Sequence, residues 1–234
     1  MLNLPDIAIS SALLLGLDEG ALIQSPELGC LLHPLVIEPL ESLAAAAGGQ
    51  GFRLRVASSY RNFARQLLIW NNKASGQRPV LDAAGQPLDM TCYSDREKVF
   101  AILRWSALPG ASRHHWGTDL DVYDDSRIAS DYALQLTVEE TEGEGPFAEF
   151  HRWLSAELGN NPRGFVRPYQ LGRGAIAPEP WHLSYSPVAS LYAAQLTEDI
   201  VRAQLQATEI CLKEALLENL SEIYQGYIQP YINC

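Results

Sequence analysis

Positive charge is scarce: 17 lysines and arginines stand against 28 aspartates and glutamates, a formal net charge of −11 over 234 residues. A field of that sign excludes a nucleic-acid backbone or an anionic membrane surface as the expected partner, because each needs a basic face. No lysine or arginine precedes Arg53, so the apolar piece IAISSALLLGL near the N-terminus lacks the basic flank of a secretory signal. It is also too short to span a bilayer, and a cytoplasmic protein is expected. Cysteine is sparse: Cys30, Cys92, Cys211 and Cys234 lie far apart without a CxxC pair, which excludes a zinc knuckle and a dense disulfide framework. Internal repeats and low-complexity segments are missing. What is present, 47% hydrophobic and 19% charged residues, suits a globular chain with a sizeable core.

Ser25-Pro26 reads as an N-cap followed by proline at the first helical position. A helical pattern continues through PLVIEPLESLAAAA to Gly48-Gly49, with Pro39 expected to kink or split it. Residues 1–49 thus read as an N-terminal helical segment. FRLRVAS then alternates, with Phe52, Leu54 and Val56 against Arg53 and Arg55, the period of a half-buried strand. NFARQLLIWNNKASG reads as a helix stopped by Gly76, followed by helices at REKVFAILRWSAL and PFAEFHRWLSAELG and short strands at GFVRPY and WHLSY. From Pro187 onward the pattern is helical, and Leu216, Leu217, Leu220, Ile223, Tyr224 and Tyr227 form a stripe expected to pack on the core. Strands and helices mix without regular alternation, which predicts an α+β fold with a small antiparallel sheet. We expect a single domain, with a core at about 50–186 and a C-terminal helical extension at 187–234.

The chain has only five histidines, and two are adjacent in SRHHWGTDLDVYDD, beside four aspartates. Catalytic zinc takes three protein ligands and keeps a fourth position open. The HExxH helix is absent, so ligands must come from separate segments, and RHHWGTDLD and EPWHLSY hold the right residue types. His114 and Asp121 are an odd number of residues apart, which puts them on opposite faces of a continuous strand unless Gly117 turns the chain. In TDLDVYD, Asp119, Asp121 and Tyr123 share one face and Leu120 and Val122 the other. Periodicity leaves either Asp119 or Asp121 as the ligand. Glu179 and His182 are three apart in a segment that Pro180 keeps from being helical.

Three ordered motifs carry a resemblance. Ser112, His114, Gly117 and Asp121 fit SxHxxGxxxD, Glu179 and His182 fit ExxH, and SSYRNFARQ, with Ser58, Tyr60, Arg61 and Gln66, looks like SxYRSxxxQ. Over residues 50–186 the chain resembles the zinc D-alanyl-D-alanine carboxypeptidases of the VanY type, with their Hedgehog/DD-peptidase-like fold. The resemblance implies zinc on His114, Asp121 and His182, so it selects Asp121 over Asp119, and it makes Glu179 the catalytic base. Arg61 would share the oxyanion or grip the terminal carboxylate, and Ser112, Gln66 and Tyr60 would add substrate contacts. His115 falls where the family often has Gln and is taken as a neighbour of the site. Asp119 falls where the family usually has Ala, and there it would orient a ligand histidine or alter specificity; Ser184 replaces a frequent Arg.

The implied function is hydrolysis of a peptide or muropeptide ending in D-Ala. Alternatives are a cell-wall endopeptidase, a D,D-dipeptidase, or a non-catalytic zinc module such as the Hedgehog signalling domain. The presence of Glu179 favours an enzyme. Nothing in the sequence sets an oligomeric state.

Overall fold

The computed structural model describes residues 9–83, 85–160 and 162–232; Ile7 and Ala8 of the apolar N-terminal piece, and Cys234, lie outside them. The N-terminal segment is not the continuous helical piece its pattern suggests. After one helical turn, α1 (Ser11–Leu14), the chain forms a hairpin of β1 (Ile23–Ser25) and β2 (Cys30–Leu32) and only then enters α2 (Pro34–Gly49). Ser25-Pro26 begins the hairpin turn, where Ser25 Oγ accepts from the Leu28 N–H at 3.2 Å. A Ser-Pro pair serves a turn as well as a helix start, so the pair alone did not distinguish them. The cap of α2 is His33, whose ring accepts from the Leu35 N–H. Pro39 does not split α2: burial of Val36, Leu40, Leu43 and Ala47 along one face outweighs the missing hydrogen bond.

The elements that position the site follow in order. They are β3 (Leu54–Ser58), α3 (Phe63–Ala74), α4 (Asp95–Leu103), β4 (Asp119–Asp124), α5 (Val138–Thr141), α6 (Ala148–Gly159), β5 (Phe165–Val166) and β6 (His182–Tyr185). The four strands form one antiparallel sheet in the order β3-β4-β6-β5, so the fold is α+β. Leu120, Val122 and Leu183 turn into the core, which leaves Asp119, Asp121 and His182 on the other face. Asn62 caps α3 by accepting from the Arg65 N–H, and Phe63, Gln66 and Trp70 are its buried face. Ser94 and Glu97 form a capping box on α4.

Beyond the sheet run α7 (Ser186–Gln195), α8 (Glu198–Ala207), α9 (Lys213–Glu218) and α10 (Leu220–Ile223). The expected stripe packs on the core, with Leu216, Leu220 and Ile223 fully buried. The last helix is not continuous, however. It loosens into a π turn at Tyr224–Ile228, then a 3-10 turn at Gln229–Tyr231, where Pro230 has no N–H to continue the ladder. Among the described residues Cys30, Cys92 and Cys211 are free, and no helix is long and apolar enough to cross a membrane.

Candidate metal centre and cleft

Strand register assembles the centre. In the β4–β6 pair Asp121 stands opposite His182 and Asp119 opposite Ser184, so these four side chains share one face. His114 arrives from the 3-10 turn Arg113–Trp116, and Gly117, at φ 66°, reverses the chain into β4. This is the turn that the odd spacing required. A Cβ at Gly117 would lie 2.7 Å from Leu22 Cδ2 and 2.9 Å from the His33 backbone nitrogen, so both conformation and space demand glycine.

His114, Asp121 and His182 each bring one ligand-type atom within 4.8 Å of the others, and all three are buried. The closest approaches are 3.1 Å from His182 Nδ1 to Asp121 Oδ1 and 3.5 Å from His114 Nε2 to Asp121 Oδ2. Tetrahedral ligands about 2.0–2.2 Å from one ion lie about 3.3–3.5 Å apart, so the donor set fits a single metal ion. Asp121 Oδ1 and His182 Nδ1 are buried and face each other without a hydrogen bond of normal geometry, a cost that a shared cation would remove. The outer ring nitrogens are engaged: His114 Nδ1 lies 2.8 Å from the Ser59 carbonyl oxygen and His182 Nε2 lies 3.0 Å from Asp119 Oδ1. Acceptors there fix a ring proton outward on each and turn the inner nitrogens, His114 Nε2 and His182 Nδ1, toward the centre.

Asp119 is thus the group that orients His182. It is fully buried and also accepts from Arg113 Nε at 2.8 Å, Thr118 Oγ1 at 2.8 Å and Ser184 Oγ at 3.1 Å. Burial alone would raise its pKa, but Arg113 and His182 outweigh it and hold the carboxyl well below the usual range. Arg113 is itself fixed by donating to Ser184 Oγ at 2.7 Å and to the Tyr231 carbonyl at 2.9 Å. Burial pushes His114 down to about 3. At His182 burial acts the same way, but Asp119 and Asp121 override it and raise the ring to about 9. His115 faces away: its Nε2 accepts from the Gly110 N–H at 3.1 Å and its Nδ1 meets the Arg61 carbonyl, a structural role.

Glu179 places Oε2 3.5 Å from His182 Nδ1. Burial, with Asp121 nearby, raises its pKa to about 7 against the pull of His182. Arg61 donates through Nη2 to Ser58 Oγ at 3.0 Å and through Nη1 to Gln66 Oε1 at 2.9 Å, while Gln66 Nε2 donates to the Ala107 carbonyl at 2.7 Å. A cleft of about 720 Å³ is lined by Arg61, Ser112, His114, Asp121, Glu179 and His182. Two residues expected to touch substrate are not in its wall. Gln66 is fully buried behind Arg61 and aims it. Tyr60 lies where burial, then Glu19 and Asp18, push its phenol up to about 12.

Two wall residues carried no sequence signal. Lys73 donates to Ser106 Oγ at 2.6 Å and is lowered by burial to about 8. At the last turn of an amphipathic helix it reads as an ordinary C-terminal cation. Tyr169 ends the stretch GFVRPY, of which only Phe165–Val166 is strand, and sets its ring 4.7 Å from that of His182.

A family model described as VanY, D-alanyl-D-alanine carboxypeptidase, matches residues 29–188. The chain belongs to the VanY family. Two proteins of Haemophilus influenzae, both uncharacterized, are similar to it. One is 47% identical over 77 residues, 33% of this chain and 53% of the relative, so the match spans about half of that relative's length. The other is 32% identical over 123 residues, 52% of this chain and 92% of the relative. Among solved structures, a vancomycin-resistance D,D-pentapeptidase VanY in complex with Zn(II) aligns with TM-score 0.48 and 24% identity over 83% of this chain and 88% of that one. VanYB in complex with D-alanine-D-alanine gives 0.49 and 24% over 83% and 87%. The LD-carboxypeptidase LdcB gives 0.49 and 18% over 84% and 77%.

VanY membership points to a peptidase, a hydrolase, with the His114–Asp121–His182 group as its candidate metal site. In this VanY chain Asp119 and Ser184, two of the three positions that depart from the pattern the resemblance implies, are spatial partners bridged by Arg113.

Proposed function

We propose that the protein is a zinc-dependent D-alanyl-D-alanine carboxypeptidase that removes the terminal D-amino acid from peptidoglycan-type peptides. The observation that supports this most is the pair of buried atoms Asp121 Oδ1 and His182 Nδ1, which face each other without a hydrogen bond of normal geometry, beside a carboxylate raised to about 7. His114 through Nε2, His182 through Nδ1 and Asp121 through its carboxylate would hold the ion. Zinc, when bound, acts as a Lewis acid on the peptide carbonyl and brings the pKa of water down to about 7. Glu179 takes a proton from the attacking water at its carboxylate and returns it to the leaving amine. Its raised pKa suits both transfers near neutral pH. Arg61, held in place by Ser58 and Gln66, directs its guanidinium to the developing oxyanion or to the terminal carboxylate. Ser112 adds a hydroxyl to the wall.

The test compares wild type with Glu179→Gln on acylated D-Ala-D-Ala peptides, free and C-terminally amidated, with zinc content measured for each protein. Wild type is expected to release D-Ala from the free acid only. Glu179→Gln is expected to keep its zinc and slow by about 10²–10⁴-fold. Equal turnover of the amidated peptide would instead identify an endopeptidase, and zinc without hydrolysis by wild type a binding module.

A further inference from the structure

Beside the cleft lies a second depression of about 720 Å³, whose wall includes His151, Arg152, Ser155, Arg167 and Tyr169. The two hollows share Tyr169, and Pro178 and Pro180 of this groove flank Glu179 of the cleft. The proposed reaction uses nothing in it. In a chain with 28 acids to 17 bases, this wall reverses the balance, with two arginines and a single acid, the exposed Glu142.

The groove is organised around one guanidinium. Arg167 Nη1 donates to Ser155 Oγ at 2.6 Å and Nη2 to His151 Nδ1 at 3.2 Å. Arginine cannot accept, so His151 Nδ1 is the acceptor and the ring proton sits on Nε2. His151 is only 4% exposed, and its Nε2 is buried without a partner; Arg167 Nε is likewise unpartnered. Burial, reinforced by the Arg167 charge, keeps this imidazole neutral, pushing it down to about 3. Two neutral side chains therefore hold the cation, and among the described residues no carboxylate lies within ion-pair distance of it. A half-buried guanidinium in the groove wall with no carboxylate partner calls for an oxyanion. A guanidinium already fixed by two partners also loses little side-chain freedom on binding one.

We propose that this groove binds a carboxylate of the substrate peptide itself, upstream of the residue removed, with Arg167 as its ligand and Ser155 and His151 aiming it. The inference rests on the peptidase reading of the cleft. Tyr169 holds its ring against His182 and stands two residues from Arg167, a backbone separation of at most about 7 Å. A peptide leaving the centre past Tyr169 brings an upstream acidic side chain to the groove within a few residues.

The test uses peptides ending in D-Ala-D-Ala with a single glutamate at the second, third or fourth position upstream of the scissile bond, each paired with its glutamine twin. Binding is measured by calorimetry on zinc-loaded Glu179→Gln, and turnover on wild type. One glutamate peptide is expected to bind about tenfold tighter than its twin. Adding Arg167→Gln should abolish that preference, and on its own it should leave hydrolysis of acetyl-D-Ala-D-Ala, which has no upstream carboxylate, unchanged. If Arg167→Gln fails to fold, Arg167→Lys, which lacks the fork, is expected to cut the preference by about threefold or more. Equal binding within every pair, or a preference that survives both substitutions, overturns the proposal. Protection of the groove by millimolar acetate or phosphate without any peptide preference identifies a free anion and also overturns it. A preference that depends on Arg167 in a protein that hydrolyses none of the peptides supports the groove and sinks the peptidase reading.

Discussion

Substituting Asp119→Ala, the residue that the resemblance implies at this position, separates two roles of this carboxylate. It accepts from four donors, and the hydroxyls of Thr118 and Ser184 can rotate to other acceptors. Arg113 Nε and His182 Nε2 cannot. Removing one partner of a buried ion pair costs about 3–5 kcal/mol, because the other charge stays behind. Losing the outer hydrogen bond of a ligand histidine costs about 10–100-fold in metal affinity, or about 1.4–2.7 kcal/mol. Urea unfolding of metal-free Asp119→Ala should therefore show a loss of about 3–5 kcal/mol, and chelator competition should show zinc bound about 10–100-fold more weakly. The double variant Arg113→Met/Asp119→Ala removes the stranded charge, so it should regain stability but not zinc affinity. Stability within about 0.5 kcal/mol of wild type together with unchanged zinc affinity would show Asp119 to be a bystander. Recovery of zinc affinity in the double variant would refute the claim that Asp119 acts through His182.

Gly117→Ala should destabilise the protein by more than the roughly 1–2 kcal/mol of a left-handed alanine, since its Cβ also meets the His33 backbone nitrogen at 2.9 Å; a urea midpoint equal to wild type would contradict this. The metal-free protein should lose stability as pH falls. Burial holds His151 down to about 3 and His115 down to about 4 in the fold, whereas both titrate near 6.5 when unfolded. The unfolded chain then binds more protons below about pH 6.5, so that stability is complete above this value and drains as the pH drops toward 4. His182, raised to about 9, adds an opposite loss as the pH rises from about 6.5 through 9. His151→Gln should flatten the acid limb of a stability–pH profile, and an unchanged slope would count against its burial as the cause.

Much of the centre was legible because its parts obey local rules. The alternation of TDLDVYD set which aspartates share a face, and a single glycine in left-handed conformation reconciled His114 with Asp121. The choice between Asp119 and Asp121 was not local. It depends on the β4–β6 register, which puts Asp121 across from His182 and leaves Asp119 on the diagonal, behind the ring. The Arg113–Asp119 pair was hidden for the same reason, since the intervening turn folds it back on itself. The N-terminal hairpin was missed because Ser25-Pro26 satisfies turn and helix alike, and continuity through Pro39 depends on the buried face of α2. Gln66 shows a further limit: a motif can mark a residue as necessary without revealing that it works from behind Arg61.

The Tyr231 carbonyl that holds Arg113 belongs to a residue made 49 positions after His182. At about 5–20 residues per second, ribosomes need about 2–10 s to cover that distance. For that interval all three candidate ligands have been synthesised while the arginine behind Asp119 lacks one of its anchors. The centre therefore reaches its final geometry only once Tyr231 has been made, well after the last of the candidate ligands.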